Sequence, residues 1–116
     1  MKYFRIIEIE NVDISSEIAK YKSTKLLISD GIRLGRNIMH YDIKIQRILT
    51  PYQLERIIID GGIERYLILI SSSIFDSWSL IMIDELGFIM EQAAYNGNMI
   101  ILEIVGYKTV NEAFMG

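Results

Sequence analysis

The chain has 116 residues, 12 basic against 15 acidic for a formal net charge of −3, 51% apolar residues and no cysteine. One α/β domain over 1–116 is expected, while disorder, disulfides, thiolate metal sites and cysteine nucleophiles are excluded. The acidic balance argues against a general nucleic-acid binder. The longest unbroken apolar run, Tyr66–Ile70, falls far short of the ~20 residues that span a bilayer.

The opening stretch MKYFRIIEIE carries charges at positions 2, 5, 8 and 10. It has no signal-peptide core, so an unexported, cytoplasmic protein is expected. Tyr3–Glu10 reads as a strand, and NVDISSEIAK as a short helix or an irregular connection. In TKLLISDGIRLGR an Asp-Gly pair divides two apolar runs, the strongest short-range hairpin signal. Leu26–Ser29 is therefore expected to pair with Ile32–Leu34. His40–Leu49 alternates like an extended, half-exposed stretch.

TPYQLERIIIDGG carries a full helix start. Thr50 can accept a first-turn N–H, Pro51 suits the first helical position, and Gln53 completes a capping box. Gly61 is expected to take a left-handed stop. YLILI is too apolar for one-sided exposure, so both faces of this strand should be covered. A second helix is read over Ile83–Tyr95 with Ile83, Leu86, Met90, Ala93 and Ala94 on its inner face, stopped by Asn96-Gly97. NMIILEIVG is the second buried strand, and Tyr107–Met115 the last helix, with Val110 and Phe114 inward. The order predicts a mixed sheet with helices on both faces, an amino-terminal β-hairpin followed by α-β-α-β-α.

With these elements placed, YKSTKLLISDG, LTPYQLERII, YLILISSS and NMIILEIVGYKTVNEAF resemble the Mth-domain family of small α/β proteins, from about Tyr21 to Met115. The resemblance implies a binding module with an assembly or scaffold role. Ser71–Ser73 stands where that family has a glycine-rich turn, and Gly106 where a threonine commonly starts the last helix. Ala113 and Phe114 replace a tyrosine-asparagine pair. The family's closing strand has no counterpart, so a free sheet edge is expected.

Chemistry is sparse. Ser71, Ser72 and Ser73 leave a buried strand where α/β proteins bind ligands. The glycines of a nucleophile elbow are absent around them, and nothing ties the single histidine, His40, to a serine. A polar turn satisfied by hydroxyls is the simpler account; a small-anion or ligand site at Ser71–Ser73 and Gly106 is the alternative. No residue is assigned a catalytic role, and no metal or cofactor is expected. Asp84 and Glu85 suit a helix start. Glu103, inside an apolar strand, must find a partner or change its pKa if buried.

Phe75 and Trp78 are candidate partner contacts, with burial under a loop as the alternative. Residues 20–47 are basic (Lys20, Lys22, Lys25, Arg33, Arg36, Lys44 and Arg47), and residues 66–116 acidic. That split suits two complementary faces of a self-associating protein, or a polyanion patch using Tyr21 and Tyr41 for stacking. The leading expectation is a non-enzymatic protein acting through protein–protein contacts, as a homo-oligomer or with another protein. A roadblock-like dimer is a further alternative, which requires residues 66–70 and 99–105 to be adjacent and antiparallel.

Overall fold

The computed structural model describes residues 3–35 and 42–106. Five strands form one sheet: β1 (Tyr3–Ile9), β2 (Lys25–Ser29), β3 (Lys44–Ile48), β4 (Arg65–Ser71) and β5 (Met99–Val105). Four helices connect them: α1 (Ile14–Tyr21), α2 (Pro51–Asp60), α3 (Ser72–Asp76) and α4 (Leu80–Tyr95). The strand order is β1-β5-β4-β2-β3, and every pairing is parallel.

This order follows from the direction of travel. From β1 the chain passes through α1 to β2 and on to β3; from β3 it returns through α2 to β4 and through α3–α4 to β5. Right-handed crossovers running in opposite directions must place their helices on opposite faces. Ile14, Ile18 and Tyr21 of α1 accordingly pack on Leu26, Ile28, Leu67, Leu69 and Ile101. Leu54, Ile58, Leu86 and Met90 of α2 and α4 pack on Leu27, Tyr66, Ile68, Ile100 and Leu102 across the sheet. Alternate residues of β4 and β5 thus enter two different cores, which is why neither strand has an exposed face. Helices on both faces and adjacent β4 and β5 agree with the sequence reading.

Two expectations about the sheet fail. It is parallel, not mixed, and there is no amino-terminal hairpin. Asp30-Gly31 does make a turn, with Gly31 at φ +86° and the Ile32 N–H donating to the Ser29 carbonyl at 3.4 Å. Ile32, however, turns into the α1-side core instead of pairing. The flanks of β2 are taken by β3 and β4, and the Arg47 guanidinium holds the turn by donating to the Ser29 carbonyl at 3.0 Å. The parallel β4–β5 pair also removes the roadblock-like alternative. β5 lies inside the sheet, and among the described residues the edge strands are β1 and β3. His40, Tyr41 and the helix expected over 107–115 lie outside the described residues.

Local signals fared better. Asp13 caps α1, accepting from the Ser16 N–H at 3.3 Å. The capping box of α2 is complete: the Gln53 N–H donates to Thr50 Oγ1, and the Thr50 N–H to Gln53 Oε1, each at 3.2 Å. α4 begins one turn earlier than expected because Ser79 caps it, accepting from the Met82 N–H at 3.3 Å. Gly61 is not left-handed; it has φ −76° and ψ 159°. Its glycine is needed for space, since a Cβ there would lie 2.5 Å from the Tyr66 hydroxyl and 2.7 Å from the Ile57 carbonyl. Tyr66 is fully buried and cannot step aside. Gly61→Ala is therefore expected to lose about 1–3 kcal/mol in urea denaturation, the usual cost of overpacking. A neutral result would mean that the Tyr66 ring is not locked.

Candidate functional site

The connection after β2 and the one after β4 depart in opposite directions, so the carboxyl ends of these neighbouring strands form the switch point of the sheet. Ser71–Ser73 stand there. Gly31 packs on Ser71 so closely that a Cβ would come 3.0 Å from its side chain, and Ser72 Oγ lies 3.5 Å from where a Gly106 Cβ would be. The candidate ligand residues are thus brought together. Much of their hydrogen-bonding capacity is already used. The Ser71 N–H donates to Ser29 Oγ at 2.9 Å, Ser71 Oγ accepts from the Ile74 N–H at 3.4 Å to cap α3, and the Ser71 and Ser73 hydroxyls are 3.3 Å apart. The ionic pair nearest this corner, Arg47 and Asp30 at 3.8 Å, braces the β2 turn. This corner holds the fold together.

Phe75 and Trp78 are not surface contacts. They are 2% and 8% exposed, with ring centroids 6.2 Å apart, and both belong to the core beneath α2 and α4. The segment expected to be a loop is the short helix α3, which turns both rings inward. Tyr21 is also buried, so it offers no stacking surface.

Glu103 lies in the interior, 1% exposed, on the α1 side of β5. Its Oε1 meets no donor, and neither does the buried Oε2 of Glu17. The two carboxyls face each other. Burial and the facing Glu17 raise the Glu103 pKa to about 7, with Lys20 opposing.

The exposed apolar surface lies elsewhere, on the outward side of α2 and α4. A groove of about 370 Å³ runs between the two helices, lined by Ile59, Ile63, Phe88, Ile89 and Gln92 among others. Ile63 and Phe88 on its walls are 68% and 64% exposed, and Ile59 is exposed beside them. One turn along each helix, Glu55 and Glu85 form a second carboxyl pair bridging α2 and α4. The Glu55 pKa is raised by burial, then by the facing Glu85. Sequence reasoning placed only the inner stripe of α4. The signal for the outer face was available: Ile81 and Phe88 are surplus to that stripe, as is the last of the three isoleucines at 57–59.

Among the described residues, no group of three or more His, Asp or Glu side chains is placed to hold a metal ion. Nor is any helix long and apolar enough to cross a membrane. The chain matches no model of a known protein family, and a search of curated proteins finds no match.

Proposed function

We propose that this chain is a non-catalytic binding module that acts through protein contact, with the outer face of α2 and α4 as its contact surface. The observation that carries this reading is the groove between α2 and α4, whose walls, Ile59, Ile63 and Phe88, stand exposed together outside the two packed cores. Monomeric soluble proteins seldom leave such side chains clustered unless they bind something. The assembly role implied by the Mth-domain resemblance points the same way. The occupant is a protein surface with apolar side chains and positive charge. Residues 66–106 carry Asp76, Asp84, Glu85 and Glu91 outside the core and include no lysine or arginine.

Self-association is a second form of this reading, favoured by the basic residues Lys20, Lys22, Lys25 and Lys44 outside α2 and α4. One copy would set its acidic helices against the basic surface of the next. Such head-to-tail contact weakens with salt, because exposed charges beyond about 10 Å are screened at 0.1 M.

The test is Phe88→Asp combined with Ile63→Lys. Both positions are exposed, so stability should change by no more than about 0.5 kcal/mol per substitution. Light scattering over a concentration series at low and high salt reads self-association. Immobilised wild-type and double-variant chains read capture of other proteins. Assembly or a captured protein lost in the double variant supports the reading; either one persisting unchanged in the variant removes α2–α4 as the surface. A strict monomer that captures nothing ends the proposal.

A further inference from the structure

Glu55 and Glu85 sit on facing helices with their carboxyls turned toward each other, yet neither has a cation among the described residues. Glu55 is 7% exposed and its Oε1 meets no donor. The nearest base on α2, Arg56, is engaged by Asp60 at 3.0 Å, and α4 has no basic residue at all. Around the pair stand four exposed apolar side chains, each one helical turn away: Tyr52 and Ile59 flank Glu55 on α2, while Ile81 and Phe88 flank Glu85 on α4. A desolvated polar centre ringed by contacts that exclude water is how interface hot spots are built. Here the centre is two carboxyls short of a positive charge.

We propose that Glu55 and Glu85 form a recognition site for a lysine or arginine of the partner, carried on an amphipathic helix whose apolar side chains fill the adjoining groove. This rests on the contact reading above and names the chemistry of that contact. The geometry sets the spacing. Glu85 and Gln92, which lines the groove, are seven residues apart, or roughly 10 Å along α4 at 1.5 Å per residue. One or two turns of partner helix therefore separate the basic residue from the leucine-like side chain entering between Ile63 and Phe88. A cation arriving beside Glu55 favours its ionised form, so binding releases the Glu55 proton. Glu55 and Glu85 face each other here, and the other charged residues on these helices are Arg56 and Asp60 of α2, which pair with each other, and Asp84 and Glu91 of α4. Affinity should therefore rise with pH as Glu55 loses its proton, because burial and the facing Glu85 hold that proton above the usual carboxylate range.

The probe is a designed amphipathic peptide of about four helical turns. It carries leucines on one face and a single arginine one turn before them, and is compared with its arginine-to-glutamine counterpart. Both are titrated into the full isotope-labelled chain and followed by amide shifts. The expected result is at least tenfold tighter binding of the arginine peptide, with shifts at Glu55, Ile59, Glu85 and Phe88. That preference should grow as pH is raised above the usual carboxylate range and vanish in Glu55→Gln/Glu85→Gln. Glu85→Lys, at an exposed position, provides a second variant if Glu55→Gln does not fold, and should also abolish the preference. Equal binding of the two peptides in the groove overturns the cation site and leaves the contact reading standing. No shift from either peptide overturns the site, while the fate of the contact surface is read separately from the Phe88→Asp/Ile63→Lys comparison.

Discussion

Trp78→Ala should lower the stability of the domain by about 3–5 kcal/mol, the range for deleting a large aromatic from a packed interior. Trp78 closes the corner where α3 gives way to α4. Its N–H donates to the Phe75 carbonyl at 3.1 Å, and its ring packs near Phe75 in the core that also holds Ile70 and Ile104. Nothing small enough to refill that volume is free to move, because Phe75 and the inner residues of β4 and β5 are themselves fully packed. Against a typical total of about 5–15 kcal/mol, such a loss brings the chain close to unfolding. Urea denaturation with an unchanged slope is the measurement, and Trp78→Phe, which keeps most of the ring, should cost markedly less. A loss below about 1 kcal/mol would place the ring at the surface after all. Phe88→Asp is the companion experiment: an aromatic side chain only ten residues away, with almost no stability at stake and all of the expected contact. The two substitutions separate fold from function.

The same contrast explains what could be read from the sequence. The Thr50–Gln53 capping box and the Asn96-Gly97 stop are local devices whose partners lie within a few residues, so spacing alone identifies them. β4 and β5 were legible because burial on both faces leaves a near-continuous apolar run, broken in β5 only by Glu103. Strand direction was not. Asp30-Gly31 makes the same tight turn whether the chain then pairs backwards or dives into a core. Only the competition for the flanks of β2, won by β3 and β4, decides the outcome. β3 itself is mostly exposed, and the charges of Lys44 and Arg47 suit an edge strand, so its composition does not announce a partner.

The same limit applies at the candidate site. Ser71–Ser73 occupy the position where α/β folds bind ligands, and the structure keeps them at the switch point. Whether a hydroxyl is free depends on what the fold brings to it, and Ser29 and the Ile74 N–H arrive from outside any sequence window of pattern analysis or from the turn of α3 itself. Phe75 and Trp78 drew attention as aromatics in a presumed loop; five residues of helix turned them inward. The contact face was missed because α4 is apolar on more than one side. A reading that assigns such a helix a single inner stripe leaves Ile81 and Phe88 without an explanation.

Folding stability should fall as pH rises from about 4.5 to about 7, and Glu103→Gln should remove most of that fall. Glu103 and Glu17 press two carboxyls together beneath α1, where oxygens of both lack any donor, so a proton between them is what makes the contact favourable. Unfolded, Glu103 ionises at the usual carboxylate value near 4.5; folded, it holds its proton to about 7, chiefly because burial penalises the charge. Between those limits the folded chain binds the extra proton. The contribution is therefore complete below the lower value, declines by about 1.4 kcal/mol for each pH unit in between, and is gone above the upper one. The total is a few kcal/mol. Among the described residues Lys20 is the positive charge acting on Glu103, and it limits the effect without reversing it. Glutamine keeps the size of the side chain and offers an N–H to Glu17 at every pH. Its curve should be flatter than the wild-type curve, and the variant should be the more stable of the two at pH 8. Glu64 works in the other sense, since Lys44 and Thr24 hold its pKa down and its contribution is lost only as the solution becomes acid. It is present in both chains, so the difference between their urea-denaturation curves isolates Glu103. Persistence at pH 7 of the infrared band of a protonated carboxylic acid, absent in Glu103→Gln, gives an independent reading. Parallel stability curves with no such band would mean that α1 rests on the sheet without a shared proton, and that the Glu17–Glu103 contact is relieved in solution by water or by movement of the helix.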